Sequence, residues 1–124
     1  MLRAELRALH SPDLSDLRTD LPEDPKHFLI LVQAFIGPLG EPGEESFAFQ
    51  VCTPSWISTR LEKDKFLLGR HYLIVDRYDY NIIWRVIEKL CHRTEGPDWI
   101  SVASRLGRYG HWEFEDFNNE VEGS

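Results

Sequence analysis

Side chains able to do chemistry are present in this chain, but their spacing does not assemble them. Cys91 and His92 would supply a thiolate and its base, yet adjacent helical residues point about 100° apart and cannot face each other. His10, His27, His71, His92 and His111 are scattered, with no HxxxH step and no serine or cysteine in a nucleophile elbow. Cys52 and Cys91 are the only cysteines and lie outside any CxxC or His-rich spacing, which predicts a reduced compartment and no metal site. Gly37 to Gly43 contains GxxG, but it also holds Pro38 and Pro42, and the acidity of its glutamates would repel phosphate rather than cradle it. The sequence therefore predicts no catalytic residue, no metal and no cofactor, and the chain reads as not an enzyme.

Carboxylates are the more pointed feature. They fall in three clusters: Asp13, Asp16, Asp20, Glu23 and Asp24; Glu41, Glu44 and Glu45; and Glu113, Glu115 and Asp116. The last cluster lies in Arg108 to Phe117, RYGHWEFEDF, together with Tyr109, Trp112, Phe114 and Phe117. In an extended segment, alternation puts Trp112, Phe114 and Asp116 on one face and His111, Glu113, Glu115 and Phe117 on the other. The plain reading is an edge strand pinned by its rings, with acidic groups that discourage unwanted pairing. The sharper reading is an interface in which rings supply burial and carboxylates steer toward a basic surface. Its candidate partner-binding residues are Trp112, Glu113, Phe114, Glu115, Asp116, Glu41, Glu44 and Glu45. With 21 acidic against 14 basic residues and a formal charge of −7, direct nucleic-acid binding is not expected, because phosphate neutralisation requires clustered Lys and Arg.

The elements that must position these groups follow from periodicity. A length of 124 residues is that of a single domain, residues 1–124. Leu2 to Leu9 alternates with period two as a first strand, and Ser11 to Pro25, with three prolines and five acidic residues, is a loop lying across the surface. His27 to Ile36, HFLILVQAFI, reads as a central strand covered on both faces, although periodicity alone leaves a buried helix open. A Gly- and Pro-rich hairpin leads to an antiparallel partner over Ser46 to Thr53. Thr53 and Pro54 signal a helix start, with Trp56, Ile57, Arg60 and Leu61 on one face. Arg70 to Asp76 reads as a fourth strand. Asp79 caps a helix carrying Ile83, Val86, Ile87 and Leu90, which Gly96 and Pro97 end; Asp98 caps another carrying Trp99, Val102, Ala103 and Leu106, which Gly107 stops. The order predicts an α+β fold, an antiparallel sheet of about four to five strands with about two to three helices packed on one face. The other face, or part of it, is left open to a partner.

Four blocks in this order and spacing carry a resemblance: HSPD at His10 to Asp13, QAFIGPLGEPGEESFAFQVCTPSW at Gln33 to Trp56, GRHYLIVDRYDY at Gly69 to Tyr80, and GHWEFEDF at Gly110 to Phe117. Together they resemble the immunity protein 8 family of bacterial polymorphic toxin systems over nearly the whole chain. The resemblance implies an α+β protein, encoded beside a secreted toxin, that binds the toxin's C-terminal domain and protects the producing cell. It carries no residue-level site. MLRAELRALHSPD lacks the apolar run and cleavage site of a secretory signal, and no segment approaches about 18 uninterrupted apolar residues, which predicts a cytoplasmic protein without membrane contact. A cytoplasmic protector implies a toxin acting in the cytoplasm, and a nuclease with its basic cleft fits the acidic charge. The alternative from the residues alone is a small non-enzymatic α+β binding or regulatory module.

Overall fold

The computed structural model describes residues 1–115. Strands β1 (Leu2–His10), β2 (Leu29–Pro38) and β3 (Glu45–Cys52) form an antiparallel meander. Helix α1 (Pro54–Asp64), strand β4 (Tyr72–Ile74), helix α2 (Tyr80–Arg93), strand β5 (Glu95–Gly96), helix α3 (Trp99–Leu106) and strand β6 (His111–Trp112) follow. The strands join into one six-stranded sheet in the order β4-β3-β2-β1-β5, with β6 also on β3. The α+β expectation holds, but the sheet is mixed: β4 runs parallel to β3. The chain leaves β3 at Cys52, crosses over through α1 and re-enters from the same end, a connection long enough for a parallel pair.

Register decides which side chains build the core. Pairing of Leu6 with Ile36, Ala34 with Phe47, Val32 with Phe49 and Ile30 with Val51 puts these residues on one face. They pack in one cluster with Ile83, Ile87 and Cys91 of α2 and Val102, Ala103 and Leu106 of α3. The opposite face carries Leu31, Gln33, Phe35, Ala48 and Gln50, all only partly buried. The expectation that β2 is covered on both faces is thus corrected: its apolar run hides a true alternation, and one sheet face stays open.

A bulge between Leu6 and Ala8 inserts Arg7 as an unpaired residue. Its guanidinium donates to the carbonyls of Gly43 at 2.6 Å, Pro38 at 2.8 Å and Glu41, so one side chain ties down the β2–β3 hairpin. Gly37 makes this possible. A Cβ there would stand 2.1 Å from the Gly43 carbonyl oxygen and 2.7 Å from the Arg7 guanidinium carbon.

Helix signals divide by strength. Asp79 Oδ1 accepts from the amides of Asn81 and Ile82 at 3.0 and 3.3 Å, capping α2. The Asp98 carboxylate caps α3 by accepting from Ser101 N at 2.8 Å, which holds its pKa below the usual value. Thr53 does not cap α1: its hydroxyl accepts from Phe28 N at 3.2 Å and so locks the helix start onto β2. No residue of α1 is buried, because this crossover helix stays outside the shared core. Helix α2 ends at Arg93, before Gly96, because the chain turns at Thr94 into β5 against β1. Asp79→Ala is expected to cost about 1 kcal/mol, as loss of an N-cap does, read as a lower urea midpoint with an unchanged m-value.

Candidate functional site

The outer edge of β3 is completed by two short pieces. Strand β6 pairs with Phe47 and Ala48, and β4 with Gln50, Val51 and Cys52. Extended backbone ends at Trp112; a turn at Glu113 and Phe114 follows, so the two-faced strand expected over the C-terminal segment is two residues long. Trp112 pairs with Phe47 and therefore points to the core, where its ring is 4% exposed and stacks on Phe47 with centroids 6.4 Å apart. Its indole Nε1 donates to Glu45 Oε1 at 2.9 Å, and Trp99 Nε1 donates to the same oxygen at 2.6 Å. One carboxylate oxygen thus satisfies two indoles from separate elements. Trp112 and Glu45 are thus engaged with each other within the monomer, because the odd-numbered positions of β3 face the helices.

Glu113 lies beside them. Its Oε1 accepts from Ser46 N at 2.8 Å, and its own amide donates to Ser46 O at 3.1 Å. The hairpin and C-terminal acidic clusters, far apart in sequence, therefore meet at the Glu45–Ser46 end of β3. Here Glu41 and Glu44 are exposed and, among the described residues, have no ion-pair partner. Phe114 is 39% exposed and stands edge-on to Trp112. Pro38, Pro42, Gly43, Glu44, Glu45 and Trp99 line an open cleft of about 330 Å³ at this end. Glu115 belongs elsewhere: its Oε1 accepts from Arg70 at 2.9 Å, and its Oε2 lies 3.5 Å from His111 Nδ1. Asp116 lies outside the described residues, as does Phe117.

The first-loop carboxylates act locally. Asp16 accepts from Arg18 N, Asp20 from Asp16 N and Asp24 from Lys26 N, while Asp13 takes the Leu31 amide beyond the last β1 pairing. The loop is also more than surface cover, since Leu17 is buried and its carbonyl receives the Tyr78 hydroxyl. At the end of α2, burial pushes the Cys91 thiol up to about 12, with Glu88 adding to the effect, while His92 is exposed and points away. Burial pushes Cys52 up to about 11. Both remain thiols at neutral pH, so neither supplies a nucleophile there. His27 Nδ1 meets Ser55 Oγ at 3.0 Å, but Ser55 donates its proton to the Lys26 carbonyl, which makes the pair a strut at the start of α1.

Two features escaped sequence reasoning. Large apolar side chains stand exposed on α1, its following connector and β4: Leu61 at 38%, Phe66 at 68%, Leu68 at 81% and Ile74 at 55%. The second is the meeting of His71, His111 and Glu115 near the outer edge of β3, which no local spacing announces.

Among the described residues, no helix is long and apolar enough to cross a membrane. No curated protein and no solved structure matches the chain. The family model for immunity protein 8 matches residues 4–117, from β1 through the β6 edge and the acidic turn that follows it. That span takes in all but the first two residues of the sheet, all three helices and the Arg7-tied hairpin, and so places this chain in the immunity protein 8 family.

Proposed function

We propose that the protein binds the C-terminal domain of a cognate polymorphic toxin acting in the cytoplasm, and neutralises it by contact rather than by chemistry. A nuclease is the toxin class that its charge fits best, because a cleft built to hold phosphate is basic and an acidic protein is its complement. The observation that carries this reading is the acidic end of the hairpin, where Glu41 and Glu44 are exposed and Glu113 is bonded to Ser46, next in the chain to Glu45. Trp112 and Glu45 act beneath them as supports. Arg7 keeps the hairpin in place, which limits the ordering cost of binding.

The test uses the full chain and the C-terminal domain of the toxin encoded next to it. Replacing Glu41 and Glu44 together by Lys is expected to slow association about tenfold at low salt. The wild-type association rate is also expected to fall as salt rises; a rate indifferent to salt removes the steering argument. A second reading rests on the exposed Phe66 and Leu68, since large apolar side chains gathered on a surface mark interaction sites. If the Lys pair leaves binding intact while Phe66→Asp and Leu68→Asp abolish it, the α1 side is the toxin-facing surface. Failure of the two proteins to associate at all overturns the function itself.

A further inference from the structure

His71 precedes β4, His111 lies in β6 and Glu115 follows the turn, so the three come from the two pieces that share the edge of β3. Each offers a ligand atom, and these atoms lie within 4.8 Å of one another. His111 Nδ1 stands 3.5 Å from Glu115 Oε2. Ligand atoms held about 2.0–2.1 Å from a tetrahedral zinc ion stand about 3.3–3.4 Å apart, so this pair needs almost no movement to share one ion. The two imidazoles meet edge to face, 5.4 Å between centroids and 63° between planes, which lets their nitrogens converge from different directions.

The surroundings supply what metal ligands require. His71 has φ 68°, a left-handed conformation uncommon for a residue with a Cβ, and its carbonyl is held by Gln50 N at 2.9 Å. Its Nε2 is 2.8 Å from the Gly107 carbonyl oxygen and 3.1 Å from Arg70 Nε. A carbonyl can only accept and the Arg70 Nε–H can only donate, so the two contacts favour opposite tautomers; with the Nε2 proton toward Gly107, the ring's free lone pair is on Nδ1. Arg70 binds Glu115 through Oε1, which orients the carboxylate and leaves Oε2 toward His111. An imidazole pair plus one carboxylate, with His71 held by the Gly107 carbonyl and Glu115 by Arg70, suits a borderline-soft divalent ion and gives magnesium or calcium too few oxygens.

We propose that His71, His111 and Glu115 bind a divalent transition-metal ion of the zinc type, with water as fourth ligand. The ion clamps β6 and the turn after it to the start of β4. Glu115 then faces ligands of its own chain rather than the toxin, and the site stands independently of the acidic hairpin surface. The test is titration of the full, tag-free chain with zinc chloride by calorimetry and thermal denaturation, with magnesium chloride as control. Zinc is expected to bind at one site with a dissociation constant of about micromolar order. At about a hundredfold excess over that constant the melting midpoint is expected to rise by about 5–10 °C, with magnesium silent. His71→Asn suits the left-handed backbone, and His111→Gln and Glu115→Gln alter partly exposed side chains; each is expected to lower zinc affinity at least about tenfold while the zinc-free circular dichroism is retained. Absence of saturable binding up to about millimolar zinc overturns the site. Binding unchanged in all three variants also overturns it, by assigning zinc to His10, His27 or His92.

Discussion

Phe47→Ala is expected to cost about 3–5 kcal/mol and to lower the melting midpoint by about 10–20 °C. Phe47 is fully buried, stacks on Trp112 and meets Trp99 edge-on with centroids 6.5 Å apart. Removing the ring leaves a cavity bounded by two indoles that cannot collapse into it, because both are anchored to Glu45. Differential scanning calorimetry checks the size. The effect should also reach the surface: Phe114 packs against Trp112, so amide exchange around β6 is expected to quicken more than exchange in α2. A loss below about 1 kcal/mol would mean that the β6 edge carries little of the stability.

Glu45→Ala is expected to be the next most damaging change, at about 2–5 kcal/mol, because both indole N–H groups lose their acceptor in a partly buried site. Glu45→Gln separates structure from charge. Its amide oxygen still accepts from both rings, so stability is expected to stay within about 1 kcal/mol of the parent protein. Toxin association should change far less in Glu45→Gln than in the Glu41 and Glu44 Lys pair, since Glu45 is already engaged. Thermal denaturation of both variants, followed by association kinetics of Glu45→Gln, checks the two statements. Equal stability of Glu45→Ala and the parent would show that water replaces the carboxylate at no cost.

What could be read in advance was what period and caps encode. Alternation in Leu2 to Leu9 and Ser46 to Thr53, the caps Asp79 and Asp98, and the apolar stripes of Ile83, Ile87, Val102 and Leu106 all describe their elements to within a few residues. The parallel placement of β4 was not legible, because strand direction depends on where the crossover returns and not on the composition of Tyr72–Ile74. The meeting of Trp112 with Glu45 was hidden for a related reason: the two-residue β6 takes its place from its register on β3, far away in sequence. Thr53 showed an N-cap signature, yet the nearby Phe28 amide captured its hydroxyl, a tertiary choice invisible locally. The acidic clusters were plain as composition, but only the fold separates the exposed Glu41 and Glu44 from Asp16, Asp20 and Asp24, which make turns, and Asp13, which takes the Leu31 amide.

Because β6 and the close-packed Gly110 come after every other described strand and helix, the outer border of β3 cannot be sealed early during translation. While the ribosome still holds Gly110 to Trp112, Phe47 and the backbone of Phe47 and Ala48 remain uncovered on that side. A nascent or prematurely terminated chain lacking Gly110 to Trp112 therefore exposes a hydrophobic, hydrogen-bond-hungry border suited to self-association. The integrity of the sheet is thereby vested in Gly110 to Trp112: proteolysis there removes the seal on β3 before it disturbs the remainder of the body.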